Sequence, residues 1–203
     1  MIAIIDYGVG NLFSLSSSLN FLSLDCKITS DPKVIQDAER LILPGVGAFG
    51  DAMKKLEQTH LIDLIISETK KGKPMLGICL GMQMLFEYSL EYGKHEGLGL
   101  IEGCVAPLKD YLPSKAVIPQ MGWNGLNITA NNPLLKYVKE NDDVYFVHSY
   151  FATNCTKDTI ATTDYYLPIT AAVAKTNVFG TQFHPEKSGK TGLNILKAFS
   201  EVN

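Results

Sequence analysis

This 203-residue chain shows no basic patch along its length, and its net charge is −3. Gripping a phosphate backbone needs a basic face, so nucleic acid is not an expected partner. CxxC spacing is absent as well: Cys26, Cys79, Cys104 and Cys155 lie far apart. That suggests neither a zinc site nor a disulfide framework, and a reducing cytoplasm is the natural location. The opening "MIAIIDYGVGN" has no basic segment before its apolar run and no small-residue cleavage site after it, and Asp6 interrupts the run. Neither a signal peptide nor a membrane span is expected. Internal repeats, low-complexity tracts and long linkers are missing too, so one domain over 1–203 is expected. No cluster of side chains implies a metal or an organic cofactor. With 46% apolar and 19% charged residues, the composition suits a soluble globular chain. Folding at this length buries roughly 70% of the unfolded surface, so stability requires no cross-link or metal.

What is present alternates in the first half. The runs "IAII" (2–5), "RLILPG" (40–45, stopped by Pro44) and "PMLGIC" (74–79) read as buried strands. Between them, Leu12, Leu15, Leu19 and Leu22 have helical spacing behind a cap at Asn11, and 51–71 reads as two helices around His60. A helix, "LGMQMLFEYS", follows Cys79. Strands alternating with helices predict an α/β fold, a mostly parallel central sheet covered on both faces. The second half is rich in antiparallel strand signals: "VYFVHSYFA", "IATTDYY", "TAAVAKT" and "VFGTQFH" lie between polar turns, before a closing helix over about 192–199.

The chemistry centres on Gly77-Ile78-Cys79-Leu80-Gly81. A strand turning sharply into a helix crowds the neighbours of the residue at the turn, and glycines two before and two after relieve the crowding. Such a turn sets the sulfur at a helix N-terminus, where free N–H groups favour a thiolate, and the Leu80 N–H is a natural oxyanion donor. Spacing alone leaves open that Cys79 is a small buried side chain. An acyl-transferring thiol needs a base and the base an orienter. His60 and His95 read as solvated at helix edges, whereas His148 could be a core or a site residue. His184 ends a strand in "FGTQFHPEKSG", and residues two apart in extended chain point the same way, so Glu186 can receive its Nδ1–H. In isolation His-Pro-Glu is also an ordinary polar turn. A second oxyanion donor fits "LPGVGAFGDAM", where Gly45 and Gly47 admit close backbone approach. The P-loop Lys-Ser/Thr is missing there, and GxGxxG is not matched. Trp123, the lone tryptophan, stands in a Gly/Asn-rich turn, either as a binding surface or packed under a loop.

"GICLGMQ" together with "FHPEKS" resembles the class I (triad) glutamine amidotransferases. "DYGVGNL", "LPGVGAFGDAM", "MGWN" and "FVHSY" resemble, within that family, glutaminase subunits of imidazole glycerol phosphate synthases. The resemblance runs from the N-terminus to about Leu196. It implies that Cys79 attacks the side-chain amide of L-glutamine, that His184 carries the proton to departing ammonia, and that Glu186 orients His184. It implies an oxyanion strand at Gly45, Val46 and Gly47 acting with Leu80, and a grip on the amino-acid end by Gln83, Ser149 and Tyr150. Asn11, Pro119, Gln120, Met121, Gly122, Trp123 and Asn124 are implied to face a partner, forming a heterodimer with a (β/α)8 cyclase subunit. The products would be imidazole glycerol phosphate and an aminoimidazole carboxamide ribotide, in histidine synthesis. One departure is Gln120, where many family members carry His. Two other readings stay open: delivery of ammonia to a different synthetase, for example in surface-sugar amination, and a stand-alone thiol hydrolase.

Overall fold

A computed structural model of the chain describes residues 1–202. In chain order the elements are β1 (Ile2–Ile5), α1 (Leu12–Phe21), β2 (Cys26–Thr29), α2 (Pro32–Asp37), β3 (Arg40–Gly45), α3 (Phe49–Gln58) and α4 (Ile62–Lys70). Then come β4 (Met75–Cys79), α5 (Leu80–Met84), β5 (Phe86–Ser89), β6 (His95–Glu96) and β7 (Ile101–Pro107). The second half holds β8 (Gln120–Gly125), β9 (Asn127–Ile128), β10 (Asp143–His148), β11 (Tyr150–Thr153), β12 (Thr159–Tyr165), β13 (Leu167–Lys175), β14 (Val178–Thr181) and α6 (Gly189–Ser200). An eight-stranded sheet in the order β2-β1-β3-β4-β14-β13-β12-β9 forms the centre, parallel through β14 and antiparallel beyond it. A four-stranded sheet (β11-β7-β5-β6) and a two-stranded one (β10-β8) complete the fold.

The sequence of the central strands explains their place. Nearly every residue of "IAII", "RLILPG" and "MLGIC" is buried, as expected for parallel strands covered on both faces. Successive side chains divide between two cores. Ala3, Ile5, Leu41 and Leu43 pack with Phe49, Leu56 and Ile65 under α3 and α4. Ile2, Ile4, Ile42 and Leu76 pack with Leu15 and Leu19 of α1 and with Ile195 and Phe199 of α6. Among the described residues no helix is long and apolar enough to cross a membrane.

The break at His60 holds, with φ at 57° between α3 and α4. Other expectations need correction. The helix after Cys79 stops at Met84, and "FEYS" is strand β5. The Leu85 carbonyl accepts the N–H groups of Leu100 and Ile101, and Phe86 is fully buried, so cross-strand pairing and core burial override continued helix. Pro44 does not stop its strand: β3 runs on to Gly45. Its pairing with β1 ends at Ile42, so the missing proline N–H costs no ladder bond on that side. Asn11 makes no side-chain cap to α1. Trp123 lies in strand β8 rather than a turn, and the closing helix α6 is longer than expected at both ends.

Candidate active site

The carboxyl ends of β3, β4 and β14 converge, the usual edge for ligand sites in open α/β sheets. At the end of β4, Cys79 holds φ 54° and ψ −110°, a conformation costing a non-glycine residue about 1–3 kcal/mol. The flanking glycines make that turn possible sterically. A Cβ at Gly81 would come 1.8 Å from the Leu43 carbonyl oxygen, and one at Gly77 would come 2.6 Å from that of Gly81. The α5 helix therefore starts in contact with β3. Cys79 is 7% exposed, and the Gln182 amide nitrogen lies 3.8 Å from its sulfur.

His184 follows β14 and is buried. Its Nδ1 lies 2.9 Å from Oε1 of Glu186. The contact is made as expected, but not along a strand: Pro185–Lys187 form a single 3-10 turn, which brings the carboxylate back under the ring. Ser188 anchors the segment. Its hydroxyl donates to the His184 carbonyl at 2.6 Å and accepts the Tyr145 N–H at 2.9 Å. Burial works against a charged ring here, but hydrogen bonds from the ring to Cys79 and Glu186, with their negative charge, outweigh it. His184 is pushed up to about 9, so the ring holds a proton at neutral pH.

A cavity of about 530 Å³ opens over the sulfur. Val46, Gly47, Leu80, Gln83, Ser149 and Tyr150 line it beside Cys79 and His184. Gly45 lies beneath, its Cα packed against the Gly81 backbone, and Gly47 takes a positive φ of 96°. Ser149 and Tyr150 arrive at the rim because the chain crosses there from β10 in one small sheet to β11 in the other. The Gln83 amide donates to the Tyr150 carbonyl at 2.9 Å and to Gln182 at 3.0 Å. Those bonds tie the wall of the cavity to the helix behind Cys79.

Glu91 and Tyr92 line the cavity with no signal in the sequence, and His148, open between core and site from the sequence, lines it as well. Glu91, in "LEYGKHE", is buried and accepts the Phe49 N–H at 2.7 Å. Burial pushes its carboxyl up, against the pull of that bond and of His95, while Asp51 adds to the push. Tyr92 beside it is exposed over the cavity mouth. His148 is buried, with Nδ1 2.9 Å from the Tyr150 carbonyl, which places its proton on Nδ1. Burial lowers it to about 4, and the nearby His184 adds to this.

The residues expected at a partner surface divide. Met121 and Trp123 are 63% and 55% exposed on one face of β8, with Trp123 edge-on to Tyr145. Pro119, Gly122 and Asn124 are half-buried. Gln120 corrects the expectation: it is fully buried and donates to Asn124 Oδ1 at 3.0 Å, because alternation along the strand turns it inward. Asn11 lines a narrow crevice with Pro44, Ile78, His184 and Glu186. His60 is exposed, but His95 is not at a helix edge: it lies in β6, its ring against Gly50. Among the described residues no group of three His, Cys, Asp or Glu could hold a metal ion.

The model of the family "Glutamine amidotransferase class-I" matches residues 3–201. The chain belongs to that family. Among its curated relatives is the "Imidazole glycerol phosphate synthase subunit HisH" of Caldanaerobacter subterraneus subsp. tengcongensis, 53% identical, with 100% of this chain and 98% of the relative covered. The protein of the same name from Lactococcus lactis subsp. lactis is 49% identical, with 98% of each covered. Among solved structures, "Structure of PurLQS from Thermotoga maritima" superposes with a TM-score of 0.76 at 19% identity, covering 98% of this chain and 96% of that one. "Crystal structure of glutamine amidotransferase" gives 0.76 at 16% identity, covering 98% and 100%. These structural likenesses establish the class I amidotransferase fold.

Proposed function

We propose that the chain, as one amidotransferase domain in the cytoplasm, hydrolyses L-glutamine to glutamate and ammonia. It passes the ammonia to a (β/α)8 synthase subunit that makes imidazole glycerol phosphate and an aminoimidazole carboxamide ribotide in histidine synthesis. The observation that carries the hydrolysis is the strained Cys79 beside a His184–Glu186 pair in one walled cavity. The ammonia-consuming partner rests on the name borne by relatives 43–53% identical over nearly the full length.

Cys79 sulfur attacks the carboxamide carbon of glutamine to give a tetrahedral adduct, His184 gives its proton to the nitrogen, and the C–N bond breaks to release ammonia and leave a thioester on Cys79. Glu186 keeps the ring oriented through both steps, and the N–H groups of Leu80 and of the 45–47 turn hold the developing oxyanion. Water, deprotonated by His184, then releases glutamate. Glu91 takes the α-ammonium of the substrate, with Gln83, Ser149 and Tyr150 around its amino-acid end. Met121 and Trp123 present an apolar pair of the kind that anchors partner interfaces.

The test is glutamate release from glutamine, alone and with the synthase subunit and its nucleotide, with Cys79→Ala as control. Partner-stimulated release that Cys79→Ala abolishes is expected. High release that the partner does not change would point instead to a stand-alone thiol hydrolase, and no release under any condition overturns the enzymatic reading.

A further inference from the structure

A second cavity, of about 870 Å³, adjoins the one above Cys79. Asp51, Lys54, Glu57, Lys94, His95 and Glu96 line it, between α3 and the β5–β6 hairpin, and Lys94 pairs with Glu96 at 3.3 Å. Glu91 and Tyr92 line both cavities, so these two residues are the wall between them. Glu91 is the fixed part of the wall, held by the Phe49 N–H at 2.7 Å and by its own N–H on the Ser89 hydroxyl at 3.1 Å. Tyr92 is the projecting part. Its ring is 86% exposed and meets Tyr150 edge-on, with centroids 6.3 Å apart.

The backbone of Tyr92 is unusual for so large a residue. Its φ is 53°, and Gly93 follows at 126°. A bulky side chain at positive φ carries local strain, and an 86% exposed ring gains little burial to offset it. Strain kept without a packing return points to a role for the side chain.

We propose that Tyr92 is a specificity-determining wall that confines the substrate to free glutamine. This rests on the glutaminase reading above. With the carboxamide at Cys79 and the α-ammonium at Glu91, any group added to the α-nitrogen runs into the Tyr92 ring. Without the ring, that group enters the second cavity, where Asp51 and Glu57 receive the displaced ammonium of an N-terminally extended dipeptide.

The experiment compares glutamine with glycylglutamine, reading glutamate or glycylglutamate release in the presence of the synthase partner. Tyr92→Gly suits the positive φ and removes the ring, and Tyr92→Phe keeps the ring. The preference for glutamine, as a ratio of kcat/KM values, is expected to fall by about ten-fold or more in Tyr92→Gly, the scale at which pocket walls discriminate. Tyr92→Phe is expected to keep the wild-type ratio. An unchanged ratio in Tyr92→Gly, or a loss in Tyr92→Phe equal to that in Tyr92→Gly, overturns the proposal. Failure of the wild-type complex to release glutamate from glutamine would instead remove the glutaminase reading itself.

Discussion

His148 offers a prediction whose size and sign follow from its surroundings. The ring is buried, lowered from 6.5 to about 4 by that burial, and its Nε2 has no partner. In the unfolded chain the same imidazole takes a proton near its ordinary value. As pH falls through the window from 6.5 to about 4, the unfolded state therefore binds a proton that the folded state refuses, and stability drops. Between about pH 7.5 and about pH 5 this single group removes about 2 kcal/mol. His184 runs the other way between pH 7.5 and its ordinary value of 6.5, gaining stability on acidification, and it does so alike in both proteins compared below. Its folded value of about 9 lies above the unfolded one, so its contribution is complete below the ordinary histidine range and is lost as pH rises from there through about 9. His148→Gln keeps a donor for the Tyr150 carbonyl but takes up no proton. Urea unfolding of both proteins at the two pH values isolates the effect, because the carboxylates contribute equally to each. The wild type is expected to lose about 2 kcal/mol more than His148→Gln on acidification. Equal losses would refute the burial argument, whatever the absolute stabilities.

Other consequences are equally direct. Acylation needs the proton on His184, so kcat/KM for glutamine is expected to fall as pH rises through about 9. Glu186→Gln is expected to move that fall to lower pH, and an unmoved alkaline limb would exclude the orienting contact. Gly81→Ala puts a Cβ 1.8 Å from the Leu43 carbonyl, a backbone clash expected to cost about 3 kcal/mol or more. A wild-type melting temperature for that variant would disprove the packing account. Trp123→Ala removes a half-exposed aromatic anchor, so its Kd for the synthase subunit is expected to rise about 30-fold, near 2 kcal/mol. An unchanged titration curve would place the interface elsewhere.

The sequence by itself determined the central strands and their layers, because continuous apolar runs and 3.6-residue spacing are local consequences of burial. Cys79 was also legible, since glycines at two before and two after state a steric need of the turn itself. His184 and Glu186 were legible as a pair, although the turn that joins them is 3-10 and not extended. Glu91 and Tyr92 were different, and the strand end at His148 left that residue open between core and site. All three come to the cavity only through β5, β10 and their pairing with distant strands. Gln120 likewise looked like a surface residue until strand alternation turned it inward. Which side chain acts as base is a question of chemistry that residue type and spacing can pose. Which side chains wall the substrate is decided by long-range sheet pairing, and no local pattern carries that information.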